Sequence, residues 1–166
     1  MFNKTTFKLV AFLLTITLLS CNANLNLNDG VEGSGNVITE KRTINESFDK
    51  ISASTGVTVI VEQGSPNDVE VETDDNLMQY VITKVENGTL IVKIEGNINT
   101  MSSIDVRVRM SSIVGLESTS GSRISSKNTL KGSTIAVKSS SGSEIDAVLE
   151  YENVSCESSS GSNITV

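Results

Sequence analysis

Glu117-Ser-Thr-Ser-Gly-Ser-Arg-Ile124, Lys138-Ser-Ser-Ser-Gly-Ser-Glu-Ile145 and Glu157-Ser-Ser-Ser-Gly-Ser-Asn-Ile164 are three versions of one octad. Their central glycines, Gly121, Gly142 and Gly161, stand 21 and then 19 residues apart. A period near twenty is too short for a helical-hairpin repeat and suits one rung of a coiled β-structure. The match extends beyond the octads. Leu130, Ile135 and Val137 are spaced by five and two, as are Leu149, Val154 and Cys156, and Val114 aligns on Ile135 and Val154. The shorter step loses two residues between Ile145 and Leu149, where a loop belongs.

Strand alternation gives the octad an inside and an outside. With Leu116 inward, Ser118 and Ser120 follow it inward while Glu117 and Thr119 face out. The same parity assigns Ser139 and Ser141 after Val137, and Ser158 and Ser160 after Cys156. Stacked rungs place these serines above one another at about 4.8 Å, so each hydroxyl can donate to one neighbour and accept from the next. The glycines of Ser120-Gly121-Ser122, Ser141-Gly142-Ser143 and Ser160-Gly161-Ser162 then turn the corner, where positive φ or a bulge is needed. An internal ladder is favoured, because it satisfies polar groups that are costly to bury singly. The alternative is a flat hydroxyl-rich surface that faces solvent and meets glycans or another chain. Outward positions form two charge columns, Glu117–Lys138–Glu157 and Arg123–Glu144–Asn163. Neighbouring opposite charges stabilise a sheet modestly, by roughly 0.2–1 kcal/mol per pair, and no catalytic role is needed to explain them.

Composition agrees with a thin β-architecture. The chain has 166 residues, 4% aromatics, no tryptophan and no histidine, so its core must come from aliphatic and small residues. Strand patterns run over Val57–Val61, Val69–Glu72, Val81–Glu86, Thr89–Ile94 and Ile104–Arg109. Asn87-Gly88 between two of them is a two-residue hairpin signal, since both positions accept positive φ. Residues 74–80 predict no more than one helical turn. The sequence thus predicts an all-β fold, a parallel β-helix or β-solenoid, with an irregular N-terminal β region and a hairpin. One domain over residues 36–166 with a single stacked core is expected, because no linker divides it.

The N-terminus gives a cellular address. Lys4 and Lys8 precede the apolar run 9–19, which is too short to span a bilayer and reads as an export signal. Leu18-Leu19-Ser20-Cys21 matches a lipobox, so residues 1–20 are expected to be a lipoprotein signal peptide and Cys21 the lipidated N-terminus. The alternative is an ordinary export signal; the position and flanks of Cys21 favour lipidation. Several acyl chains on one residue anchor stably where one binds only marginally. Residues 21–35, rich in Asn and Gly, predict a flexible tether. Cys156 remains, and its alignment on Leu116 and Val137 predicts a small buried hydrophobe rather than a reactive thiol.

Charge and missing chemistry narrow the function classes. The formal charge is −7, and −9 without Lys4 and Lys8, which argues against nucleic acid and anionic lipid surfaces. Partners that are neutral, basic or bridged by cations remain. The absence of histidine removes the commonest general base and metal ligand. Ser47-Phe48-Asp49-Lys50 matches Ser-x-x-Lys, but the companion motifs of penicillin-binding enzymes do not follow. Asp74-Asp75-Asn76 and Asn67-Asp68 lack EF-hand spacing and read as turns. No catalytic residue, metal or cofactor is expected, although Arg107 or Arg109 with nearby acids could mimic the site of a β-helix lyase.

The ordered motifs resemble a known family. They are Gly35-Asn36-Val37, Phe48-Asp49-Lys50-Ile51, Gly56-Val57-Thr58-Val59, Gln63-Gly64, Asp75-Asn76-Leu77, Asn87-Gly88-Thr89-Leu90, and the 116–122 run into the Ser-Gly-Ser repeats. With the lipobox, they resemble the head GIN domain family, adhesin-like lipoproteins of autotransporter type found mainly in Bacteroidetes, over about residues 33–166. The resemblance implies a right-handed β-helix-like fold and an envelope location, and transfers no catalytic residue. Val166 falls inside a rung where family members usually continue, which predicts truncation, with a partner-docking open edge as the alternative. The resulting expectation is a non-enzymatic, lipid-anchored outer-membrane protein that presents a surface for adhesion or envelope organisation. The periplasmic face is favoured over the cell surface, because no acidic run follows Cys21. Partners are then the membrane through the lipid, and a glycan or an envelope protein. A polysaccharide-active β-helix enzyme and a regulatory envelope lipoprotein are the alternatives.

Overall fold

A computed structural model describes residues 30–99 and 103–166. The expected export signal, Cys21 and most of the expected tether lie outside the described residues. Thirteen strands form two mixed sheets, and the only helical element among the described residues is the single 3-10 turn Met78–Tyr80. In chain order the strands are β1 (Val37–Lys41), β2 (Lys50–Ala53), β3 (Thr58–Gln63), β4 (Asp68–Asp74), β5 (Val81–Glu86), β6 (Thr89–Ile94), β7 (Asp105–Met110), β8 (Gly115–Ser118), β9 (Arg123–Ser126), β10 (Leu130–Ser139), β11 (Glu144–Asp146), β12 (Leu149–Ser158) and β13 (Asn163–Thr165).

One sheet runs β1-β4-β7-β3-β9-β11-β13 and the other β12-β10-β8-β2-β6-β5. Consecutive strands such as β8 and β9 lie in opposite sheets, so each pair makes one rung. Within the stack the pairing is parallel, and its register follows the repeat: Val137 faces both Leu116 and Cys156, Leu130 faces Leu149, and Ile145 faces both Ile124 and Ile164. This register keeps the repeat's aligned apolar positions on the inner face, where a one-residue slip would turn the whole set outward.

The order of rungs departs from chain order. β2 pairs with both β6 and β8, and β3 with both β7 and β9. The first rung in sequence, β2/β3, is therefore sandwiched between β6/β7 and β8/β9. The intervening chain returns along the free side, where β4 pairs antiparallel with β7, β1 with β4, and β5 with β6. These antiparallel strands finish that end of both sheets, a common way to blunt an edge. The Asn87-Gly88 hairpin forms as its sequence predicts, with φ of 51° and 76°.

A single core cluster runs from Phe48 to Ala147 through both halves of the chain. Its members are mostly Val, Ile and Leu, contributing roughly 1.5–3 kcal/mol each on full burial. Cys156 does not join them. It is exposed, and Val154 is 45% exposed, because β12 is the outermost strand of its sheet and lacks the covering rung that Ile135 and Val137 enjoy. The alignment of Cys156 on aliphatic positions holds, but the expected burial does not.

The end of the expected tether also behaves differently. From Gly30 onward the chain is attached to the domain. Val31 bridges to Ile98, Ser34 Oγ donates to Asp75 Oδ1 at 2.6 Å and Asn36 Nδ2 to Asp75 Oδ2 at 2.9 Å. Asp75 thus serves as a turn residue that clasps the entering strand, and these donors hold its carboxyl below the ordinary carboxylate range.

Tyr151 supplies a lateral strut. Its ring lies over Gly132 in the neighbouring strand, and its hydroxyl donates to Ile113 O at 2.7 Å. A Cβ on Gly132 would stand 2.6 Å from that ring. Gly132→Ala is therefore expected to displace Tyr151 and cost roughly 1–3 kcal/mol. In urea denaturation Tyr151→Phe should lose only about 1 kcal/mol, the worth of one hydrogen bond.

Candidate binding surface

The first two octads divide into a buried and an exposed part, and the third, on the outermost rung, is exposed apart from half-buried Ser162 and Ile164. Ser118, Ser122, Ser139 and Ser143 are all at most 2% exposed. Ser120 and Ser141 are exposed and do not point inward as strand parity predicts. The reason is local: Ser120-Gly121, Ser141-Gly142 and Ser160-Gly161 each combine two consecutive positive φ values, near 54° and 72°. Two left-handed residues reset the alternation, so the inward serine after the corner is Ser122, Ser143 or Ser162.

The inward-facing hydroxyls do not form a serine-to-serine ladder between rungs. They pair inside each rung, with Ser118 Oγ 2.8 Å from Ser122 Oγ, and Ser139–Ser143 and Ser158–Ser162 both at 2.9 Å. The second serine then reaches a backbone carbonyl of the preceding rung. Ser122 Oγ lies 2.8 Å from Ala53 O, Ser143 Oγ 2.6 Å from Ser118 O, and Ser162 Oγ 2.7 Å from Ser139 O. Its own turn offers a second carbonyl at similar distance, so one proton serves two acceptors in alternation. Ser140 Oγ donating to Thr119 Oγ1 at 3.0 Å is a direct hydroxyl contact between rungs.

A fourth corner was hidden in the sequence. Ser52-Ala-Ser-Thr-Gly-Val-Thr-Val59 takes the octad position in β2/β3, with Thr55 and Gly56 at φ of 63° and 75° and Ala53 opposite Ser118. Ala53 and Val57 replace the buried serine pair and are both fully buried. The glycine at the fifth position was the available signal, masked by loss of the serines. Gly56 N donates to Ser120 O, Gly121 N to Ser141 O and Gly142 N to Ser160 O, each at 3.1 Å. The four turns thereby stack into one exposed ridge of Thr55, Ser120, Ser141 and Ser160. The octad thus forms a clasp within each rung in place of the expected ladder between rungs, and leaves a hydroxyl edge exposed outside.

The outer face of the seven-stranded sheet carries the charges. Its rows follow the register: Glu70–Arg107–Ile60–Ser125 in one, and Asp68–Arg109–Glu62 in the next. Glu62 takes Arg109 at 3.3 Å and Lys127 at 2.7 Å, Glu72 takes Arg107 at 3.0 Å, and Asp68 takes Lys41 at 2.8 Å. Further along, Arg123 pairs with Glu144, and on the other sheet Lys138 pairs with Glu157, matching the two predicted columns. Between these rows lies a cleft of about 360 Å³ floored by Ile60 and walled by Glu62, Asp68, Glu70, Arg107, Arg109 and Lys127. Hydrogen bonds from Lys127 and Arg109 lower the Glu62 carboxyl, and one from Arg107 lowers that of Glu72. Both are held as carboxylates, the opposite of a general acid's requirement. Ser47 and Lys50 stand at the entrance of β2, and Asn67 Oδ1 caps Ser111 N at 3.2 Å. Among the described residues, no three Asp, Glu, His or Cys side chains gather to hold a metal ion.

Stacked rungs with a mainly aliphatic interior and charged outer rows define an all-β scaffold. Comparison then supplies the family. Residues 47–166 match the family described as "putative auto-transporter adhesin, head GIN domain", and the chain belongs to that family. Solved structures share the fold. A "putative adhesin" from Bacteroides fragilis is 17% identical with a TM-score of 0.75, covering 82% of this chain and 65% of that one. Another from Parabacteroides merdae is 23% identical with a TM-score of 0.72, covering 82% and 58%. A "putative lipid binding protein" from Parabacteroides distasonis is 17% identical with a TM-score of 0.64, covering 77% and 65%. The chain thus spans about three-fifths of the length of the solved structures it matches. No functionally curated protein matches it.

Two tests follow from the clasp and the ion pairs. Ser143→Ala alone should destabilise by roughly 1–3 kcal/mol, because it strands buried partners. Ser139→Ala with Ser143→Val, which copies the Ala53/Val57 rung, should recover most of that loss in a denaturant double-mutant cycle. Glu62 has a folded pKa below its ordinary 4.5, so its stabilisation is present above that value and fades as pH falls through the lowered one. Thermal melts of Glu62→Gln should therefore lie under wild type at neutral pH and converge on it as pH falls through that lowered value.

Proposed function

We propose that this chain is a lipid-anchored envelope protein whose β-solenoid presents a non-catalytic binding surface, an adhesin or an organiser of the envelope. The observation that carries the reading is the face of the seven-stranded sheet, where register holds charged side chains in continuous rows over a rigid apolar core. Such rows offer distributed recognition without a single indispensable group. Membership of an adhesin-described family supports the same reading. Lipidation at Cys21 would tether the domain to the outer membrane, with its periplasmic face favoured. The coil is right-handed on this reading, because parallel crossovers within one sheet take that hand in about 98% of cases.

The test uses the full chain expressed in a bacterium with lipoprotein processing. Labelled palmitate should enter wild type and not Cys21→Ala, and the wild-type protein should fractionate with outer membranes. Purified protein coated on beads should be retained by glycan- or protein-coated surfaces without releasing cleaved products. Cleavage of a bound polysaccharide would sink the non-catalytic reading in favour of the enzyme alternative.

A further inference from the structure

The cleft on the outer face suits one kind of ligand better than its charges first suggest. Its walls carry three carboxylates and three cations, so the site is neutral as a whole. Most of those charges already neutralise one another: Lys127 and Arg109 bind Glu62, and Lys41 binds Asp68 at the rim. An anionic ligand would have to compete with Glu62 for Arg109 and Lys127, and a cationic one would have to displace them. A neutral polyol would break no ion pair.

Hydrogen-bonding capacity is nevertheless left over. Glu70 makes no ion pair within bonding distance among the described residues, although register sets it directly beside Arg107. Each arginine has five N–H donors in a fixed fork, and a single ion pair uses few of them. Ile60, between Arg107 and Ser125 in the same row, is the one apolar outward residue of β3 and forms the floor. An apolar floor, a free carboxylate that accepts from hydroxyls and guanidinium N–H groups that donate to them match the C–H face and vicinal hydroxyls of a pyranose. At about 360 Å³ the cleft falls at the small end of ligand sites, which run roughly 300–1,000 Å³.

We infer that the cleft over Ile60 between Glu70, Arg107 and Arg109 is a binding site for an uncharged saccharide. The inference rests on the adhesive reading above and names its ligand class.

Neutral oligosaccharides (glucans, galactans and mannans) and their sulfated or uronic counterparts are immobilised, and binding of the full chain is measured. Neutral sugars should be retained. Glu70→Ala and Ile60→Asp should each weaken binding at least about tenfold, the loss expected when one hydrogen-bonded group or an apolar floor is removed. Neither residue makes an ion pair, so melting temperature should confirm that both variants fold. Glu117→Ala on the other sheet should leave affinity unchanged. Raising salt from about 0.05 to 0.5 M should change affinity less than about twofold, since no net charge is neutralised. Retention confined to anionic glycans, steep salt dependence, or variants that bind as wild type would each overturn the site. If beads still adhere through the protein while the two variants match wild type, only this inference fails. If nothing is retained by any surface, the adhesive reading fails with it.

Discussion

Four of the five rungs turn at the same residue, and their stacking depends on that constraint. Coincident corners let these parallel neighbours share a backbone ladder through the turn itself, whereas β6/β7 keeps its register on β2/β3 across a longer connection. Paired left-handed residues at Thr55-Gly56, Ser120-Gly121, Ser141-Gly142 and Ser160-Gly161 set the corner. A glycine pays no Cβ penalty there, and at the first three corners the preceding Ser or Thr is held by the hydrogen bond from the glycine N–H to the next rung. Inside the corner, a pair of small side chains must fit the narrow bend. Two serines do so by satisfying each other and a neighbouring carbonyl, and Ala53 with Val57 does so by being apolar.

From that constraint the two surfaces follow. Fixed corners fix register, register keeps Ile124, Ile145 and their equivalents inward, and the residues between them are committed to the outside. The outer face therefore holds rows rather than scattered charges. Lys127 and Arg109 meet on Glu62 because β3, β7 and the segment after β9 bring residues from three distant parts of the chain to one place. Such pairs are individually weak at the surface, roughly 0–1 kcal/mol. Their structural consequence is order: they hold long side chains around the cleft instead of leaving them in solvent.

Much of this is legible in the sequence alone. The octad period predicted the rungs, the spacing of Leu130, Ile135 and Val137 predicted their register on Leu149, Val154 and Cys156, and Asn87-Gly88 marked the hairpin. The family resemblance drawn from ordered short motifs is the family to which the chain belongs. Three features escaped. The Ser52–Val59 rung lacks the inward serines that made the others recognisable. Ser120 was placed inside because alternation was carried through a turn that does not alternate. Cys156 was placed in the core because alignment reports a position in a rung, while burial needs a neighbouring rung to cover it.

By itself the sequence determined the unit: a rung of about twenty residues, its corner, its apolar positions and its outward charges, all of which are local properties of the repeating chain. Only the tertiary structure decided the order in which rungs stack. Placing β2/β3 between β6/β7 and β8/β9 is a choice among pairings of similar local chemistry, made by what the antiparallel returns β1, β4 and β5 can cover. The cleft over Ile60 exists because of that choice. Glu70, Arg107, Ile60 and Lys127 carry no motif, and they meet because β4, β7, β3 and the segment after β9 become neighbours in one sheet.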